Sequence, residues 1–412
     1  MILSFQKYNK KSSLTLLGII LIVSIQSCTT YKPQYGKNIV NPTEETPVDS
    51  ELSHRFYLIG DAGNAEKYEA QQTLRLFGQR ISESDKNATL VFLGDNIYPK
   101  GMPSKSDSEE RKSAEQKLIF QLEIAKKFKG QTVFIPGNHD WYNGIKGLQE
   151  QEKFVTDYLN DKKAFLPRKS CGIERLKIND DVVMIVIDSQ WFLEDWNDYP
   201  TINDDCDIKT KQAFFDEVKS LLNKHQNQTV LLAIHHPLFS NSSHGGQILS
   251  VNQQLYPIGN IPLPVIGSVF SFFRKTIGIP QDIHSTPYRE LANRIKTEIT
   301  DRNNVIIVSG HEHNLQYIEK GNIKQIISGA ASKTDEARAV NPNDFSYGKH
   351  GYAVLDIYKD TSSRVSFYAT DNEKETLLFS KEVLPAVDSS VLSGLYLDNF
   401  GQTTKYSIYS KE

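Results

Sequence analysis

Residues 89–98 read TLVFLGDNIY. A short β-favouring apolar run meets a glycine, and the polar side chains Asp95, Asn96 and Tyr98 follow at once. In open α/β sheets ligands collect beyond the carboxyl ends of the strands, and glycine permits backbone turns there that other residues resist. Four more apolar runs are each followed at once by a short polar motif, three of them through a glycine. FYLI (56–59) leads into Gly60-Asp61-Ala62-Gly63, and TVFIP (132–136) into Gly137-Asn138-His139-Asp140. TVLLAI (229–234) leads into His235-His236-Pro237, and VIIVS (305–309) into Gly310-His311-Glu312-His313-Asn314. The polar residues can therefore converge on one crevice.

The segments between these runs support that architecture. Further strands are expected at 182–187, 323–328, 352–358 and 364–370. Helical stripes occur at Leu74, Phe77 and Ile81, and at Ala114, Leu118, Leu122, Ala125 and Phe128, with Gly130 read as a C-cap. Others fall at Phe214, Val218, Leu221 and Leu222, and at Leu291, Ile295 and Ile299 behind Ser285-Thr286-Pro287. Strands alternate with helices early and stand alone late. The expected fold class is α/β, a layered α-β-β-α sandwich with two mixed β-sheets. Residues 245–283 break the pattern with Gly, Pro and clustered Phe and read as an insertion or lid. Its apolar stretch 262–279 suits a covered hydrophobic subdomain better than a lipid-facing surface.

The residue types decide the chemistry. Asp61, Asp95, Tyr98, Asn138, His235, His311 and His313 form a mixed oxygen and nitrogen donor set without cysteine, which excludes a thiolate zinc site. Seven such side chains are more than one ion takes, whereas two ions about 3.5–4 Å apart that share a carboxylate would use them all. Asp61, Asp95 and a phenolate Tyr98, with a bridging hydroxide, carry four negative charges. A trivalent and a divalent ion would leave the centre at about +1, suited to an anionic phosphate ester, and a phenolate beside carboxylates favours Fe3+. Taken singly, a Gly-Asp pair is an ordinary turn, GNHD is a weak signal, and His235-His236 suits a packed core. All five motifs in order at strand ends point to a metal site.

The ordered set D-x-G, GDNxY, GNHD, HxP and GHxHN resembles the calcineurin-like metallophosphoesterases, over about residues 54–330. Tyr98, GHEHNLQYI (310–318) and HHPLFSNSSHGG (235–246) are similar to the purple acid phosphatase branch, including its tartrate-resistant members. The resemblance implies Asp61, Tyr98 and His313 on Fe3+, Asn138, His235 and His311 on a divalent ion (Fe2+, Zn2+ or Mn2+), and Asp95 bridging. It implies substrate contact for His139, and phosphate binding or leaving-group protonation for His244. His236 stands where that branch has an aromatic residue and is not assigned as a ligand. The implied activity is phosphate monoester hydrolysis by a hydroxide on the metals, with an acidic optimum. A phosphodiesterase or nucleotidase on the same core is the alternative, and a non-catalytic metal-stabilised lipoprotein a further one.

Remaining residues carry weaker signals. Trp141 and Tyr142 suit either a substrate ring or wall packing, and Glu312 either tunes the site or fills a turn. His54, His225, His284 and His350 lie outside the motifs and read as packed or solvent-facing.

The N-terminus has its own logic. Lys7, Lys10 and Lys11 precede an apolar run from Leu14 to Ile25, too short to span a membrane as a mature helix. Ile25-Gln26-Ser27-Cys28 resembles a lipobox, with Cys28 the lipidated residue. An ordinary signal peptide with an incidental cysteine is the alternative. The expected organisation is a leader over 1–27, a linker over 28–52, the phosphoesterase domain over 53–370, and a tail or extra strands over 371–412. The expected location is the bacterial cell envelope, lipid-anchored and facing the periplasm or the surface. In that oxidising compartment Cys171 and Cys206 are expected to pair, two free thiols being the alternative.

Composition excludes several classes. The 412 residues carry 47 basic and 50 acidic side chains, and removing residues 1–27, with three lysines and no acid, takes the net charge from −3 to −6. That argues against a nucleic-acid scaffold. A mean hydropathy of −0.44 excludes a multi-span membrane protein. The expected partners are a small phosphate ester and, through the anchor, the membrane, for a chain read as a monomer.

Overall fold

The computed structural model describes residues 30–44, 48–104, 108–245, 283–371 and 373–386. The leader, Cys28, all but the two ends of the 245–283 insertion and the chain beyond 386 lie outside the described residues. Among the described residues, fourteen strands form two mixed sheets. In chain order they are β1 (Gln34–Tyr35), β2 (Leu52–Ile59), β3 (Ala88–Phe92), β4 (Gln131–Phe134), β5 (Ile173–Lys177), β6 (Val182–Ile187) and β7 (Thr229–Ile234). Then follow β8 (Val305–Ser309), β9 (Leu315–Lys320), β10 (Ile323–Ser328), β11 (Phe345–Tyr347), β12 (Gly351–Tyr358), β13 (Ser363–Asp371) and β14 (Lys374–Leu384). One sheet runs β14-β13-β12-β2-β3-β4 and the other β1-β11-β9-β10-β8-β7-β6-β5. Within them β2, β3 and β4 are parallel, as are β6, β7, β8 and β10.

The continuous apolar runs have a physical reason: both faces of each central strand are buried. Phe56, Leu58, Val91 and Val133 of one sheet share an inner core with Leu231, Ala233, Ile306 and Val308 of the other. Their alternate neighbours Tyr57, Ile59, Leu90 and Leu232 join a helical layer. Helices α1 (Tyr68–Ser82), α2 (Glu109–Ala125), α3 (Asn138–Trp141), α4 (Gly144–Leu159), α5 (Ser189–Leu193), α6 (Lys211–Lys224) and α7 (Thr286–Ile299) supply that layer. The protein is an α-β-β-α sandwich. The expected stripes of α1, α2, α6 and α7 are the buried ones.

The structure completes or corrects four readings. The stretch read as a linker is folded in part: Thr30 bridges Ala337, β1 pairs with β11, and the Gly36 amide donates to the Asp344 carbonyl at 2.7 Å. Of the tail or extra strands expected beyond 370, the structure shows a strand: β14 runs antiparallel to β13 and buries Phe379, Val383 and Leu384 in the inner core. A register shift between Phe367 and Tyr368 interrupts this pairing, so β14 shows no clean two-residue period. Gly130 is not a helix cap. α2 ends at Ala125, and Gly130 instead lets the chain pass the Ala88 carbonyl, where a Cβ would lie 2.1 Å from the oxygen. Helix α4 went unread because its buried side is sparse, with Gly147, Leu148, Gln151 and Val155. Cys171 and Cys206 form a disulfide, with Cα atoms 5.6 Å apart.

Candidate metal centre

The loops after β2, β3 and β4 in one sheet meet those after β7 and β8 in the other. Backbone bonds knit them together: Asp61 N–H to Gly94 O (2.9 Å), Tyr98 N–H to Gly63 O (3.1 Å) and Gly310 N–H to His235 O (3.2 Å). The His311 amide donates to Asp61 Oδ2 at 2.9 Å and the His139 amide to Asp95 Oδ1 at 2.9 Å. The turns are strained. Asp61, Asp95 and His311 have φ of 59°, 53° and 69°, a region non-glycine residues enter only when their surroundings enforce it. The glycines leave room for the donors: a Cβ at Gly94, whose φ is 92°, would lie 2.5 Å from His235 Nδ1, and one at Gly137 would lie 2.2 Å from Asp95 Oδ1.

All seven expected ligands come together here. Ligand atoms of Asp61, Asp95 and His235 lie within 4.8 Å of one another, and all three residues are buried. His235 Nδ1 faces the Leu93 carbonyl at 2.7 Å, which only accepts, so Nδ1 carries the proton. The bare Nε2 then faces Asn138 Oδ1 at 3.1 Å and Asp95 Oδ1 at 3.4 Å. Asn138 is turned this way because its Nδ2 donates to Tyr142 Oη at 2.7 Å. His313 repeats the pattern: Nδ1 donates to Asp335 Oδ2 at 2.7 Å, and Nε2 faces Tyr98 Oη at 3.2 Å and Asp61 Oδ1 at 3.6 Å. The one phenolic proton of Tyr98 serves three acceptors, since its oxygen also lies 2.9 Å from both Asp61 Oδ1 and Asp95 Oδ2. Lone pairs facing lone pairs in a buried site fit a cation, so this donor set suits metal ions.

The electrostatics agree. Burial, then the neighbouring Asp95 charge, pushes the Asp61 carboxyl well above its usual range. Burial also raises Asp95, but the imidazoles of His235 and His139 outweigh it and hold that carboxyl low. Burial and then Asp61 and Asp95 push Tyr98 well above 10, so in the protein alone the phenol keeps its proton. The phenolate expected from charge counting therefore requires a bound cation. Burial lowers His235 and His139, which favours neutral rings.

His139 stands at the rim, its ring 4.4 Å from that of Tyr98, with Nδ1 donating to Pro99 O at 2.6 Å and Nε2 3.9 Å from Asp95 Oδ2. The His244 ring lies 4.7 Å from that of His311. Glu312 is fully buried and accepts from the hydroxyls of Ser240 and Ser242, latching the loop that carries His244. His236 Nδ1 faces Ser189 Oγ at 2.7 Å, and its ring packs 4.3 Å from that of His311. Trp141 is wall packing, its Nε1 on Asp188 at 2.9 Å, while Tyr142 is partly exposed and packs its ring on His139.

Three functional residues went unread. Asp140 accepts from the amides of Gly137 (2.8 Å), Asn96 (3.1 Å) and Ile97 (3.2 Å) and locks two of the motifs together, with burial raising its pKa to about 7. Asp335 orients His313, and Lys333 lays its ammonium 3.3 Å from the centroid of the Tyr98 ring. The last two follow β10, a further apolar strand ending in glycine at 329. That ending was the available signal, but in GAASKTD (329–335) the lysine and the aspartate stand four and six residues beyond the glycine rather than beside it.

The family model of the calcineurin-like phosphoesterases matches residues 54–315, a span that holds every candidate ligand from Asp61 to His313. No protein of curated function matches the chain. Similar solved structures include GAP50, the anchor in the inner membrane complex of Plasmodium (16% identity, 87% of this chain and 98% of that one, TM-score 0.49). Purple acid phosphatase PPD1 from yellow lupin seeds is also similar (13% identity, 88% and 58%, TM-score 0.47), as is the calcineurin-like phosphoesterase YfkN of Bacillus subtilis (11% identity, 84% and 96%, TM-score 0.37). With the whole motif set inside one continuous match over most of its length, the chain belongs to the calcineurin-like phosphoesterases.

Proposed function

We propose that the protein is a phosphomonoesterase working at a two-metal centre. Asp61, Tyr98 and His313 hold one ion, Asn138, His235 and His311 the other, and Asp95 is shared. The observation that carries this reading is the convergence of acceptor atoms with their lone pairs opposed, at Asn138 Oδ1, Asp95 Oδ1 and His235 Nε2. An Fe3+ paired with Fe2+, Zn2+ or Mn2+ suits the phenol, carboxylate and imidazole mixture. Metals bound there would supply the charge that makes water a nucleophile and clamps the phosphate oxygens. The chain's own residues do the rest. His139, its ring fixed by Pro99, meets the phosphate oxygens at the rim, and His244, held by the Glu312 latch, hands a proton to the departing alkoxide. Cys28 anchors the chain to the cell envelope, which replacing Cys28 by Ala and following palmitate labelling would test.

The function is tested with a metal-loaded form beginning after Cys28, assayed on a chromogenic phosphomonoester and the matching diester from pH 4 to 9. Monoester turnover peaking in acid, and reduced at least about 1,000-fold in Asp95→Ala, is the expected outcome. Diester preference with a neutral optimum would replace this reading with a phosphodiesterase. Two bound metals with turnover of neither would leave a metal-stabilised binding protein.

A further inference from the structure

A cavity of about 390 Å3 opens beside His313, and its titratable lining is Lys67, Glu69, His313, Lys333, Asp335 and His350. The His313 imidazole is the wall between this cavity and the metal centre. Its Nε2 faces Tyr98 and Asp61, and its Nδ1 faces Asp335 on the cavity side. The charges here are unequally committed. Asp335 takes the His313 proton at 2.7 Å, and His350 Nδ1 faces the Ala330 carbonyl at 2.9 Å. Lys333 lies on the face of the Tyr98 ring, a contact that uses its charge but none of its three N–H donors. Lys67 is near enough for its charge to oppose that of Lys333. That opposition is weaker than the pull of Asp95, Asp61 and Asp335 on Lys333, which keeps its ammonium in place, and two ammonium groups lining one cavity can receive an anion there.

We propose that this cavity is a second anion subsite, in which Lys333 and Lys67 receive a further phosphoryl group carried on the substrate. The proposal rests on the phosphoester reading above and deepens it. One imidazole separates the two compartments, so the second group must be joined to the scissile one by a short bridge, as in a diphosphate or a vicinal bisphosphate. Lys333 and Lys67 are then specificity-determining residues, and Glu69 opposes them.

The test measures binding of methylphosphonate and of methylenebisphosphonate to the metal-loaded protein by titration calorimetry, with metal content checked afterwards. The bisphosphonate is expected to bind more tightly. Its advantage should fall about tenfold in Lys333→Met and in Lys67→Met, the loss of one charge-assisted hydrogen bond each. In Glu69→Gln the advantage should rise about twofold, a sign that a merely damaged fold would not produce. An advantage that survives both lysine substitutions, or moves the same way in all three variants, overturns the subsite and leaves the phosphoester reading intact. Failure of methylphosphonate itself to bind the wild-type protein overturns both.

Discussion

Asp335 shows how much of a metal site lies outside its ligands. Its carboxylate fixes the tautomer of His313 by taking the Nδ1 proton at 2.7 Å, and partners of this kind commonly govern affinity by about 10–100-fold. Asp335→Asn is therefore expected to weaken metal binding by at least about tenfold while leaving the melting temperature of the metal-free protein nearly unchanged, read by metal titration beside a thermal melt. Asn138 works on the same principle from the opposite side, since Tyr142 decides which end of its amide faces the imidazoles. The candidate ligands were legible because each follows its strand within a few residues. Asp335 and Lys333 were not, because their roles come from contacts across 22 and 235 residues that no local pattern reports.

At the scale of elements, each helix and loop is held by an identifiable device. Thr210 caps α6 by accepting the Ala213 amide at 3.0 Å. Thr210→Ala should lower stability by about 1 kcal/mol in a urea titration. The disulfide closes a separation of 35 residues around α5 and ties the start of β5 to the loop before α6. In the chain-entropy treatment, losing such a bridge costs about 3–4 kcal/mol. Cys206→Ser should show a loss of that size, and dithiothreitol should destabilise the wild-type protein but not the variant. Helices with a regular apolar stripe were readable from sequence, as Leu74, Phe77 and Ile81 show. β1, β11 and β14 were not, because short or bulged strands draw their identity from a partner rather than from a period.

For the whole molecule, buried titratable groups set the pH range of stability. His54 is buried with Nε2 2.9 Å from Thr89 Oγ1, and burial lowers its pKa to about 4 from 6.5. Its folded pKa lies below the unfolded one, so the unfolded chain binds the extra proton first. The stability it contributes is complete above about pH 6.5 and is lost as pH falls towards 4, by at most about 3 kcal/mol. Asp188 acts in the opposite sense: burial raises its pKa to about 8, so its contribution is complete below about pH 3.8 and is lost as pH rises through 8. Unfolding free energies measured from pH 4 to 7 should show an acid limb that flattens in His54→Gln, and an unchanged limb would refute the assignment.

The chain alone pointed to the candidate ligand types, their order and the layered architecture, because each candidate ligand follows its strand closely, in four motifs of the five behind a glycine, and the burial of both strand faces is written as unbroken apolar runs. The tertiary structure decided what those residues meet. Asp61 and His311 are 250 residues apart, yet one carboxylate oxygen receives the other's amide at 2.9 Å. The seam between the two sheets, the orientation of each imidazole and the lysine-lined cavity beside His313 are products of that long-range closure. A local pattern records the propensity of a segment, whereas the choice of partner is made by the packing of the two sheets.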